Sequence, residues 1–152
     1  MRRAGILITF LTLIALQSFS QEITIVDGYY HKKDMLYTGK HVENFENGKL
    51  KLIMNIQDGL KDGLVITYYE NGGQRDQKSY KLGLKDGTWI NWNEQGIKVA
   101  EANYRKDKKN GEWLVWDANG NLLYEMKYFK GKKSGVWKNY DNSGILLSKR
   151  KF

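Results

Sequence analysis

The sequence predicts an all-β chain, built as a single-layer twisted antiparallel sheet of five 24-residue β-hairpin repeats behind an N-terminal signal helix. Three observations predict this fold. Glycines recur every 24 residues, a second glycine follows each of them after nine residues, and aromatic residues hold fixed positions in between. No part of the repeats shows a sustained helical period of apolar residues. A regular period of this length indicates an array of similar structural units.

The first 20 residues differ from the rest of the chain. Arg2 and Arg3 precede an apolar run from Ala4 to Leu16, and small residues follow at Ser18–Ser20. This pattern predicts a secretory signal peptide over residues 1–20, with export to the periplasm or the cell exterior. An uncleaved N-terminal anchor in the inner membrane is the alternative, although the run is shorter than the about 20 residues of a membrane span.

The repeats are counted from their first glycine, which is position 0 of each unit. Capping strands are predicted over residues 21–38, and the units are 39–62, 63–86, 87–110, 111–134 and 135–152. The glycines at position 0 are Gly39, Gly63, Gly87, Gly111 and Gly135. The glycines at position 9 are Gly48, Gly72, Gly96, Gly120 and Gly144.

Each unit is predicted to form a hairpin around its second glycine. Asn-Gly pairs such as Asn71-Gly72 favour a two-residue type I′ turn, and such a turn would place position 7 opposite position 10. The same register places position 0 opposite position 17 and position 2 opposite position 15. Gly63 is therefore expected to face Tyr80. The Lys-Asp-Gly and Lys-Asn-Gly stretches are predicted to form the second turn, which leads into the next hairpin.

The repeat resembles a known family. Gly-x-Trp-x-x-Trp/Tyr-x-x-Asn-Gly, followed by an aromatic residue and Lys-Asp-Gly, is similar to the MORN repeat variant of the YwqK-type family of toxin–antitoxin antitoxins. The nearest match is "GEWLVWDANG" at Gly111–Gly120, and "MLYTGKHVENFENGKLK" at Met35–Lys51 resembles the N-terminal part of that family. The resemblance runs from Tyr29 to Phe152. It implies an antiparallel hairpin array, a scaffold for protein or membrane contacts, and neutralisation of a toxin by binding.

The composition argues against catalysis and against bound cofactors. The chain has no Cys, which excludes thiolate nucleophiles and Cys-ligated metals. His31 and His41 are its two histidines, but neither has the spacing of a metal motif, so no metal is expected. Asp62 and Asp86 are attributed to turn formation rather than to acid–base chemistry.

Two sets of residues are candidates for binding. Aromatic side chains can anchor a protein partner, although they also pack the repeat itself. They are Trp89, Trp92, Trp113, Trp116, Trp137, Tyr68 and Tyr140. Lysines two residues before the next unit are expected to line one edge of the sheet at intervals of about 10 Å, where they could contact an anionic surface or serve solubility alone. They are Lys61, Lys85, Lys109 and Lys133.

These features predict an exported, non-enzymatic β-repeat scaffold that binds an unidentified protein partner. One alternative is an antitoxin or immunity-like protein that neutralises a toxin. Another is a binder of an anionic lipid surface or polysaccharide through the lysines and aromatic residues. Nucleic acid is not expected as a partner, because 17 acidic residues offset the 25 basic ones and the chain is predicted to be exported. The sequence does not set the oligomeric state.

Overall fold

The computed structural model describes residues 23–152, which form thirteen β-strands and no helix. Accordingly, no helix capable of spanning a membrane is found within residues 23–152. The predicted signal segment, residues 1–20, lies outside the described residues. The all-β prediction is confirmed for the described part of the chain.

The strands follow one another with short connections. A small group comes first, with β1 at Thr24–Val26, β2 at Tyr29–Lys32 and β3 at Met35–Leu36. The longer strands are β4 at Gly39–Asn44, β5 at Leu50–Gln57, β6 at Leu60–Tyr68, β7 at Gln74–Lys81, β8 at Leu84–Trp92, β9 at Lys98–Arg105, β10 at Lys108–Trp116, β11 at Leu122–Phe129, β12 at Lys132–Tyr140 and β13 at Leu146–Lys151.

Two antiparallel sheets result from this order. Strands β1 to β3 form a three-stranded sheet, and β4 to β13 form a ten-stranded sheet in which hydrogen-bonded neighbours are always consecutive in the chain. The large sheet is open, with β4 at one edge and β13 at the other. A single-layer antiparallel sheet is therefore present, as the sequence predicts.

The predicted cross-strand register is confirmed in the middle of the strands. Gly63 pairs with Tyr80, and Trp89 pairs with Ala102. The same relationship recurs in later repeats at Gly87–Tyr104, Gly111–Tyr128, Trp113–Met126 and Trp137–Arg150. The chain end follows the same rule, because the Phe152 amide donates a hydrogen bond of 2.9 Å to the Gly135 carbonyl.

The predicted two-residue turn within each repeat is wrong. The Tyr69 amide donates to the Gly73 carbonyl at 2.8 Å, and the Gly72 amide donates to the Tyr69 carbonyl at 2.9 Å. These bonds enclose a three-residue loop in which Gly72 has a φ of +94°. A type I turn followed by a left-handed residue has this form, and an Asn-Gly pair suits it as well as it suits a type I′ turn.

A β-bulge restores the register that the longer loop displaces. Tyr68 pairs with Gln74, whereas Thr67 pairs with Asp76, so Arg75 is left without a partner in the ladder. The one extra residue in the loop and the one in the bulge cancel, and the inner pairs keep the parity expected of a two-residue turn. The same shift is found in all the other strand pairs joined by these loops.

The Lys-Asp-Gly stretches do not form the second turn, which corrects another prediction. Lys85 and Gly87 both lie inside β8. The connection between units is instead the two-residue turn Leu82-Gly83, with φ of 48° and 80° and with Lys81 paired to Leu84 across it. Two successive residues with positive φ are characteristic of a type I′ turn. The corresponding turns elsewhere are Asp58-Gly59, Lys106-Asp107 and Lys130-Gly131.

The small sheet covers the beginning of the large one. Within residues 23–152 the buried hydrophobic side chains are Met54, Ile56 and Val65. Tyr30 and Tyr37, from the N-terminal segment, pack against this cluster. Most other apolar side chains remain partly exposed, since a single-layer sheet has no second layer to cover them.

Candidate functional site

A continuous row of aromatic rings crosses the large sheet. Rings at position 17 of one unit alternate with rings at position 2 of the next, because the two positions lie on neighbouring strands and point to the same side. Successive centroids are 4.8–5.3 Å apart, and the planes are inclined by 49–63°. The rings are Tyr80, Trp89, Tyr104, Trp113, Tyr128, Trp137 and Phe152.

Each tryptophan of the row is fixed by a hydrogen bond to the preceding strand. The Trp89 indole Nε1–H donates to the Ser79 carbonyl at 2.9 Å, and Trp113 does the same to the Asn103 carbonyl at 3.0 Å. The indole reaches this carbonyl because the backbone departs from the regular ladder just before it. The register shifts around Gly87, whose φ of +94° few other residues adopt without strain.

The lysines predicted to line a sheet edge lie on this row of rings instead. Lys85 Nζ is 4.7 Å from the Trp89 centroid and 5.1 Å from that of Tyr104. Lys109 Nζ is 4.1 Å from Trp113 and 4.7 Å from Tyr128, and Lys133 Nζ is 4.5 Å from Trp137 and 4.8 Å from Phe152. Each ammonium group therefore lies over two rings and is held by cation–π attraction. We call the surface formed by the seven rings with Lys85, Lys109 and Lys133 the ladder face.

The residues after Lys85 and Lys109 stabilise the next turn between strands. Asp86 Oδ2 accepts a hydrogen bond of 3.2 Å from the Lys106 amide, and Asn110 Oδ1 accepts one of 3.3 Å from the Lys130 amide. Asp86 was expected to lie in a turn of its own, but it lies in β8 and caps the turn of the following unit. Asp62 lies in β6 and Asp86 in β8, so the strand β7 separates the two residues.

The ladder face is positively charged towards its C-terminal end. Side chains at positions 2, 4, 13, 15 and 17 share this face, and those between Trp89 and Phe152 include no Asp or Glu. Arg150 adds a fourth cation beside Lys85, Lys109 and Lys133, with its guanidinium 5.0 Å from the Phe152 ring. The face therefore combines regularly spaced cations with a continuous row of aromatic rings.

Burial of the row affects the acidity of its phenols. Burial raises the pKa of Tyr104 above its ordinary value. For Tyr80, burial is again the main cause of a raised pKa, and the negative charge of Asp76 adds to it. Both phenols thus stay neutral through the physiological pH range, and the charge of the face comes from its lysines.

A shallow groove opens at the C-terminal end of the ladder face. It has a volume of about 360 Å³. Its lining includes Tyr124, Lys133, Trp137, Asn139, Arg150 and Phe152. Phe152 and Tyr124 are 40% and 44% exposed, so apolar surface lies beside two cations in the groove.

The opposite face carries the remaining predicted aromatic residues and has mixed charge. Those residues are Tyr68, Trp92, Trp116 and Tyr140, so the predicted aromatic set is divided between the two faces. Lys98 lies 4.4 Å from the Trp116 centroid and forms an ion pair of 2.8 Å with Glu101. Glu125 likewise pairs with Lys138 at 3.0 Å and accepts a hydrogen bond of 3.2 Å from the Tyr140 hydroxyl. Lys98 and Lys138 on this face thus have carboxylate partners on the same chain.

The first unit of the ladder is modified by the N-terminal segment. Lys61 Nζ is 5.2 Å from the Tyr80 centroid and 6.0 Å from that of Tyr30. Val65 stands in the place of the tryptophan and is buried. The ladder is therefore covered near Lys61 and accessible further along.

A buried carboxylate lies where the covered and accessible parts meet. Asp76 is 6% exposed, accepts a hydrogen bond of 2.5 Å from the Thr67 hydroxyl, and lies 3.2 Å from both Arg75 Nε and Lys78 Nζ. Burial alone would raise the pKa of Asp76, but the hydrogen bonds and the cations outweigh it and hold the pKa below its ordinary value. Sequence reasoning missed this group, because position 13 has no constant residue type.

The histidines have local partners. His31 Nδ1 lies 3.0 Å from the Tyr29 carbonyl, and His41 Nε2 lies 3.2 Å from Glu43 Oε1. Lys51 shares Glu43 at 3.1 Å and is the main cause of its lowered pKa. In the described part of the chain, no three potential metal-ligating side chains come together.

The link between the lysines and the rings was not predicted, although the sequence contains a signal for it. A lysine two residues before position 0 and a tryptophan two residues after it have the same parity, so both can point to one side of a strand. Because Lys-Asp-Gly was expected to form a turn, the lysine and the tryptophan were not predicted to share one side of a strand.

Three segments of the chain match the model of the MORN repeat variant family, at residues 37–58, 61–81 and 109–130. These segments overlap the units that begin at Gly39, Gly63 and Gly111. No curated protein matches the chain. The YwqK-type antitoxin assignment stays a prediction. The predicted resemblance to the MORN repeat variant is confirmed in these three segments, and such repeats suggest a scaffold often involved in binding.

Proposed function

We propose that the chain is an exported, non-enzymatic repeat scaffold that binds a protein partner through its ladder face. The observation that carries this proposal is the ladder of cations held over aromatic rings, with no Asp or Glu at positions 2, 4, 13, 15 and 17 between Trp89 and Phe152. Aromatic residues and arginine are enriched where protein partners bind. A face of one charge sign also favours approach of a partner of opposite charge.

The contrast between the two faces supports the choice of surface. On the opposite face Lys98 and Lys138 already have carboxylate partners at 2.8 and 3.0 Å. On the ladder face the lysines contact rings, and an ammonium group over a ring still has N–H donors to offer. The ammonium groups of Lys85, Lys109 and Lys133 would therefore be open to the carboxylates of a partner.

A crosslinking pull-down from the native cell envelope tests this function with matched variants. The ladder variant replaces Lys85, Lys109 and Lys133 by glutamine. The opposite-face variant replaces Lys127, Lys149 and Lys151, which lie on the other side and change the net charge equally. We expect one partner to be captured by the wild type and the opposite-face variant but lost from the ladder variant. A partner retained equally by all three proteins would refute the choice of surface.

Export rests on the signal pattern of residues 1–20. The expected mature protein begins at Gln21 and carries a net charge of +6 instead of +8, because Arg2 and Arg3 are removed. Mass spectrometry of the protein recovered from its native cells gives the N-terminus directly. Recovery of the intact chain from the cytoplasm would contradict export.

Two narrower functions are consistent with the same surface. An immunity-like role makes the partner a toxin, and it predicts that deletion of this gene exposes toxicity from a neighbouring gene. An anionic lipid surface or polysaccharide is favoured by the row of lysines alone, at about 1 kcal/mol per lysine near an anionic membrane. Liposomes that bind the wild type and the ladder variant equally would exclude the lysines from such a role.

A further inference from the structure

The cations of the ladder face have a definite spacing. The lysine two residues before position 0 recurs once per repeat, and each repeat contributes two neighbouring strands to the sheet. Because neighbouring strands lie about 4.8 Å apart, successive lysines are separated by about 9.6 Å along the sheet. Each ammonium group is held in place by two rings, so this spacing is built into the protein.

One common peptide conformation has the same period. A polyproline II helix has three residues per turn and rises about 3.1 Å per residue, so every third side chain points the same way at intervals of about 9.3 Å. A β-strand repeats its side-chain direction every two residues, at about 6.7 Å, and does not match. Carboxylates at every third residue of a polyproline II segment would therefore meet successive lysines.

The rings suit such a segment better than they suit a sugar chain. Both sides of each inner ring are occupied by neighbouring rings, with centroids about 5 Å apart, and by ammonium groups. Little flat ring surface is left for a sugar to stack on. Proline-rich segments instead dock into grooves lined by aromatic side chains.

The geometry also disfavours a flat membrane as the main ligand. Adjacent strands of a sheet are rotated by about 20–25°, so the four strand-to-strand steps from β8, with Lys85, to β12, with Lys133, turn the face by about 90°. A face that turns in this way fits a flat surface less well than a narrow segment, which can twist along its length to reach the three lysines. Lys85 and Lys109 are in addition only partly exposed, which favours a narrow ligand.

We propose that the ladder face binds an acidic protein segment in the polyproline II conformation, with Asp or Glu at every third residue. This inference rests on the proposed function, because it specifies the chemistry of the protein partner. The carboxylates pair with Lys85, Lys109 and Lys133, and the residues between them lie against the ring edges. At the C-terminal end, Arg150 and the groove beside Phe152 receive the end of the segment.

Fluorescence anisotropy with three labelled peptides, each about twelve residues long, tests the period. The first repeats Glu-Pro-Pro, the second has the same composition with its glutamates gathered at one end, and the third repeats Gln-Pro-Pro. We expect the purified protein to bind the first at least about tenfold more tightly than either of the others. Equal binding of the first two peptides would overturn the inference, because it would show attraction to charge without a required spacing.

The variants locate the binding site. The ladder variant is expected to lose at least about tenfold in affinity for the Glu-Pro-Pro peptide, and the opposite-face variant to stay within about twofold of the wild type. Equal losses in both variants would refute the ladder face as the site. A variant with arginine in place of the three lysines keeps the charge and is expected to keep binding. Should the ladder variant fail to fold, the single substitution Lys133→Gln at an exposed position gives the same comparison.

Two other anionic ligands test the alternatives to a peptide. Vesicles with anionic lipid and a linear polyuronate are offered to the same proteins, and ladder-dependent binding to either of them without binding of the Glu-Pro-Pro peptide overturns the inference. Failure of this inference can be distinguished from failure of the proposed function. A native partner that depends on the ladder lysines, together with peptides that bind without regard to spacing, leaves the scaffold function intact and rejects only the segment proposed here.

Discussion

Gly87 is paired with Tyr104 across β8 and β9, and the side chain of Tyr104 lies against Trp89, two residues further along the glycine's own strand. This arrangement depends on the backbone of Gly87, which has a φ of +94° and opens the regular ladder so that the Trp89 indole reaches the Ser79 carbonyl. The glycines at position 0 thus determine where the rings and lysines of the ladder face lie.

Substitution of Gly87 by alanine is expected to destabilise the protein strongly. An added Cβ would lie 3.0 Å from Ser79 Oγ, and the positive φ adds strain, so we expect the free energy of unfolding to fall by about 2 kcal/mol or more. Urea unfolding followed by tryptophan fluorescence measures the loss. Gly96→Ala is the control, because Gly96 has a φ of +78° but open space around its Cβ position, and we expect about 1 kcal/mol there. Equal losses would show that the contact with Ser79 is unimportant.

Substitution of Leu82 by asparagine is expected to stabilise the protein. Leu82 is the first residue of a type I′ turn, with φ of 48°, and its side chain is 57% exposed, so little burial is lost. Asparagine tolerates this conformation better, and we expect a gain of about 0.5–1 kcal/mol in thermal or urea unfolding. Leu84→Asn in the adjoining strand serves as the control and should destabilise. A loss of stability on Leu82→Asn would mean that this turn has another geometry.

A double-mutant cycle on Lys109 and Trp113 is expected to show their direct attraction. The Nζ-to-centroid distance is 4.1 Å, and a coupling free energy of about 0.5–1 kcal/mol is expected for Lys109→Met combined with Trp113→Leu. Unfolding of the wild type, the two single variants and the double variant provides the value. Lys40→Met, in the distant strand β4, should be additive with Trp113→Leu within the error of such cycles. Additivity at Lys109 would show that the ammonium group does not interact with the ring.

Substitution of Asp76 by asparagine is expected to change the dependence of stability on pH. The pKa of Asp76 is lower in the folded protein than in an unfolded chain, so its carboxylate stabilises the fold above the unfolded value of about 4. That contribution is lost as the pH falls through the lower, folded-state pKa. We expect Asp76→Asn to cost about 1–3 kcal/mol at pH 7 and progressively less in acid. Urea unfolding between about pH 7 and pH 2 tests this, with the exposed Glu94→Gln as the control; a pH-independent difference would contradict it.

The fold could be predicted largely because the repeat fixes the register. A glycine at position 0 can pair with an aromatic residue at position 17 only if the chain between them turns back at its midpoint. Gly63 and Tyr80 are paired in this way. The turns were less predictable. Asn71-Gly72 suits two loop types of different length, and the compensating bulge at Arg75 carries no sequence signal of its own.

The candidate site was predicted in its components but not in their arrangement. Trp89, Trp113 and Lys109 were all singled out from the sequence, but the lysine was expected in a turn on the sheet edge. Whether Lys-Asp-Gly bends or stays extended depends on where the type I′ turn falls, and Leu82-Gly83 competes for that place. Leucine is a poor residue for positive φ, so the turn lies where local propensity alone would not put it.

The strand order of the large sheet has a consequence for how such a protein can change over generations. Since each strand is bonded only to strands adjacent in the chain order of the sheet, an in-frame duplication or loss of one 24-residue block leaves every remaining strand with a neighbour of the same register. One recombination event between two blocks would add or remove one lysine and two rings. The length of the row of lysines and rings can therefore evolve in whole steps without redesign of the fold.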